Sequence, residues 1–202
     1  MTLQLYARAR NLPLTVLTVT SVSVTTAVLA EHLTAQPRHG EMVRLPLAFV
    51  AALTCAVLLT GTLHSPLAEL EASTPKPWPR WRLTHATCLI AVGALLLAPA
   101  LPPGEWGVAV LLRDFAGFTG LALIAAAALG PRLAWTLPCA YGAAGYLTGG
   151  TRSSGWHTIW GFATQAWPSP TATATASTLL LLGSFAWTVT PGTRRSDGSL
   201  DA

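Results

Sequence analysis

Residues 106–129 read WGVAVLLRDFAGFTGLALIAAAAL. About 20 predominantly apolar residues in helical conformation reach across the hydrocarbon core of a bilayer, and this run has that length with only Arg113 and Asp114 charged. A breaker follows at once, Gly130-Pro131-Arg132, and another precedes it, Pro102-Pro103-Gly104. Five more apolar runs fall on either side of it, so the spans read as residues 12–33, 45–63, 83–100, 107–129, 133–148 and 171–189. Each ends at a breaker or a charge, for example Pro37-Arg38-His39-Gly40. The expected architecture is an all-α polytopic membrane protein, with residues 1–190 forming one transmembrane domain of about six spans. Residues 191–202 are polar and form the expected disordered cytoplasmic tail.

Composition agrees. The chain is 51% hydrophobic and 10% charged, with mean hydropathy +0.49, whereas a soluble domain carries about 25% charged residues. Lys76 is its one lysine. That is too little charge to coat a soluble globule, so lipid has to solvate much of the surface. The net charge of +4 comes from basic residues scattered between apolar runs, with no patch that nucleic acid would need. Cys55, Cys88 and Cys139 lie far apart and form no CxxC pair, which reads as core packing and not a disulfide framework. The apolar run after Arg8 and Arg10 exceeds the roughly 7–15 residues of a signal-peptide core and ends in no good cleavage site, so it is expected to remain as the first span.

Charge orients the chain. With the N-terminus inside, the inner segments hold Arg8, Arg10, Lys76, Arg80, Arg82, Arg132, Arg194 and Arg195, and the outer ones hold Arg38, Arg44 and Arg152. This is the bias of cytoplasmic loops toward Lys and Arg, and it requires an even number of spans with both ends in the cytosol.

Two connections are long: HSPLAELEASTPKPWPRWR at 64–82, inside, and GGTRSSGWHTIWGFATQAWPSP at 149–170, outside. Each is expected to carry a short interfacial helix, one after span two and one after span five. In the first, Ser65-Pro66 is an N-cap with Pro at the first helical position, and Glu69 and Glu71 follow in the early turns, where the helix dipole favours them. Trp78, Arg80, Trp81 and Arg82 then form an interfacial anchor. The segment reads either as a plain interfacial loop or as a docking helix that offers Ser65, Leu67, Glu69, Leu70 and Glu71 to a cytoplasmic partner. In the second, Trp156, Ile159, Trp160 and Phe162 recur at roughly helical spacing and Trp167 follows. This reads as an aromatic belt element or as an amphipathic or re-entrant lid.

Few polar groups lie at membrane depth. Arg113 and Asp114 either sit near the outer headgroups, after a surface helix at 105–111, or form a pair that lines a cavity or locks subunits together. Thr15, Thr18 and Thr25 share a broad face of span one with Thr26, where they either pack between helices or line a path. Ala116 with Gly120, and Gly145 with Gly149, are small-xxx-small pairs that favour close helix packing. The five histidines have no ligand spacing for haem or metal. The sequence lacks G-x-x-x-x-G-K-[ST], HExxH and G-x-S-x-G, so the expectation is a protein without catalytic residues, cofactor or metal. No carboxylate pair lies in mid-membrane, so energy for transport would have to come from elsewhere.

The order of spans and long loops resembles the membrane subunit of ABC-2-type exporters. The stretch Glu69-Leu70-Glu71-Ala72-Ser73-Thr74-Pro75, followed by Trp81-Arg82-Leu83, is similar to the family's acidic helix leading through TP into a basic, aromatic start of span three. Residues 111–123, LLRDFAGFTGLAL, resemble small membrane proteins encoded beside ABC ATPases in GC-rich bacteria. The resemblance implies a permease subunit in a bacterial cytoplasmic membrane, a homodimer or heterodimer of such subunits, and a separate ATPase docked on 64–82. The outer segment is shorter than the family's, and the long amphipathic N-terminal helix is missing. The rival expectation is a non-transporting membrane protein that acts in assembly, immunity or anchoring. Either way, tags at the two ends should be inaccessible to impermeant reagents on intact cells and become accessible on lysis; ends on opposite faces would overturn the even count of spans.

Overall fold

The computed structural model describes residues 11–34, 40–63, 78–147 and 161–190. Among these residues the chain is helical throughout, with no strand. The helices are α1 (Leu12–Thr34), α2 (Gly40–Gly61), α3 (Trp78–Leu97), α4 (Val108–Leu129), α5 (Thr136–Leu147) and α6 (Pro170–Val189), with short 3-10 turns at Ala98–Ala100, Pro131–Leu133 and Phe162–Thr164. Four candidate spans are long and apolar enough to cross a membrane: Leu12–His32, Arg80–Ala100, Val108–Leu129 and Pro170–Val189. α2 adds a shorter apolar stretch, Pro46–Gly61. α5 has 12 residues, which reach only about 18 Å. The docking residues Ser65, Leu67, Glu69, Leu70 and Glu71, the aromatic residues Trp156 and Trp160, and the tail lie outside the described residues.

Helix boundaries follow local chemistry. α3 starts before the expected span because Pro79 falls in its first turn, where the missing N–H has no partner to lose. α4 stops at Gly130, whose φ of 95° lies in a region that a side chain would disfavour. α6 opens on Ser169-Pro170, with the Ser169 hydroxyl accepting from the Ala172 amide at 3.4 Å.

The surface is inside-out relative to a soluble bundle. Leu95, Leu181 and Phe185 are 74%, 70% and 65% exposed, a pattern that only an apolar surrounding stabilises. α4 is the exception. Its candidate span is 72% buried, against 17–22% for the other three, so α4 is the hub on which the others pack. On α1, the inward positions are Val19, Ser23, Thr26 and Ala30, and Ser23 donates across to the Leu96 carbonyl at 2.6 Å.

α4 and α6 run parallel and meet at Gly120 and Gly183. A Cβ on Gly183 would collide with the backbone of Gly120, and a Cβ on Gly120 with the backbone at Leu179–Leu180. Helices in lipid associate through such close van der Waals contact, because burial from water offers no drive there. Gly145, by contrast, has nothing within 4 Å of the position a Cβ would take. At the far end of the bundle, the Arg82 guanidinium lies over the Trp187 ring, 4.9 Å from its centroid, and Nη1 donates to the Thr190 carbonyl. This ties the start of α3 to the end of α6.

Gly183→Ala should therefore force α4 and α6 apart and lower stability by ~1–3 kcal/mol. Gly61→Ala, with nothing within 4 Å of the new Cβ, should lose none. Unfolding midpoints in detergent or bilayer compare the two.

Candidate functional site

The crossing at Gly120 and Gly183 fixes depth. Gly120 lies 12 residues past the start of α4 and Gly183 lies 13 past the start of α6, so both helices begin at the same level. Ser169 caps α6 at that level. Going backward along the chain from Ser169, the backbone does not leave the bundle but descends into it. The Trp167 amide donates to the Glu105 carbonyl at 2.8 Å, in the loop that precedes α4. The Gln165 carbonyl accepts from Arg113 Nη2 at 2.8 Å. Phe162 reaches Gly117, where a Cβ would run into its ring. Gly117 lies about 14 Å along α4 from Val108, against a hydrocarbon core of about 30 Å. Residues 161–169 thus form a buried strap that rises to the start of α6, with the 3-10 turn Phe162–Thr164 at its inner tip.

Phe162 is buried in an aromatic cluster. It stacks on Tyr141 with centroids 5.0 Å apart and tilts against Phe118 at 6.0 Å. Phe118 in turn meets Phe49 edge-on at 5.2 Å. Each such pair adds about 0.5–1.5 kcal/mol to the area buried. The strap holds α2, α4 and α5 together from within.

A backbone outside regular helix needs partners for its polar groups at this depth, where water supplies none. Here side chains provide them. The Tyr141 hydroxyl is hydrogen-bonded by the backbone of Phe162 and Ala163. Arg113 takes the Gln165 carbonyl. The Thr164 amide closes the tip on the Gly161 carbonyl at 3.0 Å, and Ser169 Oγ donates to the Gln165 side-chain Oε1 at 2.5 Å.

Arg113 carries a second duty. Its Nε donates to Asp114 Oδ1 at 3.0 Å, and Nη2 lies 2.9 Å from the same oxygen. The two side chains are 2% and 1% exposed. Consecutive helix residues do not ordinarily face each other, so the long Arg113 side chain must fold back to reach its neighbour. Arg113 Nη1 and Asp114 Oδ2 remain without hydrogen-bond partners; such atoms cost about 1–3 kcal/mol each, more when charged.

The structure corrects one expectation. No separate surface helix covers 105–111: Glu105 and Trp106 form a turn, and α4 runs unbroken from Val108 through the pair. Arg113 and Asp114 are buried within the protein. The threonines fare differently. Thr15 and Thr18 bond back to the Asn11 and Thr15 carbonyls on their own helix at 3.1 and 2.9 Å, and Thr25 is exposed. Trp167 lies at the strap's mouth, 40% exposed. Tyr141, Gln165 and Gly117 complete the site around Phe162; the aromatic repeat that runs through Phe162 is the sole trace of it in the sequence.

Chemically the site is a neutral ion pair that satisfies a buried backbone. Among the described residues no three His, Cys, Asp or Glu side chains converge. These features define the class: among the described residues, an all-helical protein with four helices long and apolar enough to cross a membrane and an irregular buried strap anchored on its central helix. Comparison with protein-family models, curated proteins and solved structures finds no match.

Arg113→Met would leave the Asp114 carboxylate buried without its cation, at a cost of ~3–5 kcal/mol. Adding Asp114→Leu should recover most of that loss but not all, because the Gln165 carbonyl still lacks its donor, worth ~1–3 kcal/mol. A double-mutant cycle on unfolding free energy tests this; additive losses would show that the pair is not coupled.

Proposed function

We propose that this chain is the membrane-spanning permease subunit of an ATP-driven export system in a bacterial cytoplasmic membrane. In this reading it crosses the bilayer six times, with the end that carries Arg80, Arg82 and Arg132 in the cytosol. A separate ATPase docks on residues 64–82, and a second permease subunit, identical or homologous, completes the path. The observation that carries the reading is the strap: an irregular buried segment just ahead of α6, on the end opposite these arginines. It lies where the resembled exporters have their extracellular helices, and it is pinned by a charge pair buried in α4. Irregular backbone enters a membrane protein only where protein buries it or a cavity receives it, and transport paths are the common setting for charge at that depth.

One observation favours the rival reading of a non-transporting assembly, immunity or anchoring protein. Phe49, Phe118, Tyr141 and Phe162 fill the interior at the strap, so a passage would have to lie between two copies and not within one. The same experiment separates the readings. A permease should co-purify with a soluble P-loop ATPase, and Glu69→Lys with Glu71→Lys should leave the complex in the membrane yet cut substrate-stimulated ATP hydrolysis tenfold or more. A chain that purifies without an ATPase, or whose double variant remains fully coupled, is not such a permease.

A further inference from the structure

The strap has the balance of a movable part. It is held at its tip by the buried Phe162, wedged over Gly117 and stacked on Tyr141, and by Ala163, by ties from Arg113 and Tyr141, and at its outer end by the Trp167 amide on the Glu105 carbonyl. It has a single 3-10 turn of its own, so lifting it breaks little regular structure, and segments of this kind open at lower free energy than the helices around them. The helix that bears Arg113 keeps its ion pair whether or not the strap is seated, because the partner, Asp114, is on the same helix. With the strap seated, Arg113 Nη1 and Asp114 Oδ2 are buried without partners; with it lifted, water reaches them. Aromatic burial favours the seated form, and hydration of charged atoms favours the lifted one.

We propose that residues 161–167 are a plug that alternates between this seated position and a lifted one, in which water enters from the strap's end of the bundle as far as Arg113, Asp114 and Tyr141. The proposal stands apart from the export reading, because the motion needs neither substrate nor ATPase and is tested without them.

The test uses two reporters in the full chain with Cys55, Cys88 and Cys139 replaced by alanine. Ala163→Cys places a thiol on the tip, where the native residue is 2% exposed, and Ala122→Cys places one in the core of α4 at 0%. Both are exposed to a membrane-impermeant maleimide in sealed vesicles. A plug labels at residue 163 at least tenfold faster than at residue 122, and Phe162→Ala, which removes the wedge, raises the rate at 163 a further tenfold while leaving 122 unchanged. Equal, slow labelling at the two positions, with both reacting fully once denatured, overturns the proposal. Amide hydrogen exchange of the unmodified chain separates the same two outcomes without any variant: Phe162 and Ala163 exchange well ahead of the middle of α4 if the plug lifts, and together with it if it does not.

Discussion

A peptide group placed at membrane depth outside a helix must find its hydrogen bonds within the protein, since lipid offers none. That constraint governs residues 161–169, and much of the surrounding arrangement answers it. Arg113 is drawn toward the Gln165 carbonyl, and a guanidinium there has to be neutralised, which Asp114 does from the next position. Tyr141 turns its hydroxyl to the strap tip and its ring to Phe162, joining α5 to the assembly although α5 is too short to be held by length alone. Take the strap away and the charge pair has no structural task.

The second requirement is room. α4 can serve as hub because residues without bulk stand where the chain comes closest: Gly117 beneath Phe162 and Gly120 against Gly183. The helix carries its large side chains, Phe115 and Phe118, on the faces that meet α2, α3 and α5, and its small ones where α6 and the strap press in. In lipid, close approach of this kind replaces the hydrophobic drive that assembles soluble bundles.

Much of the helical layout could be read from hydrophobic run length and breakers, because those signals are local: Gly130-Pro131 ends a helix whatever surrounds it, and Ser169-Pro170 starts one. Depth could not. Arg113 and Asp114 sit near the beginning of an apolar run, and a run alone does not say whether its first turns face headgroups or protein. That depends on residues about fifty positions away folding back over them. Phe162 and Trp167 carry an aromatic signal that allows both a surface element and a re-entrant one, and Gly117 and Tyr141 bury Phe162 through contacts that no spacing rule encodes. On α1 the many hydroxyls obscure the packing face: Val19, Ser23, Thr26 and Ala30 point inward at helical spacing, while Thr15 and Thr18 satisfy themselves on their own helix.

The placing of cation and anion side by side on one helix has a consequence of its own. A buried pair divided between two elements resists their separation, because parting them strands two charges. Here both charges stay with α4, and the strap meets them through a neutral carbonyl, that of Gln165. The tie to Gln165 is thus worth a hydrogen bond to a charged donor, about 1.5–3 kcal/mol, and not an ion pair. An arrangement built solely for rigidity would place the carboxylate on the strap. Keeping it on α4 confines the cost of burying charge to the hub and leaves the irregular segment attached by bonds that water can replace.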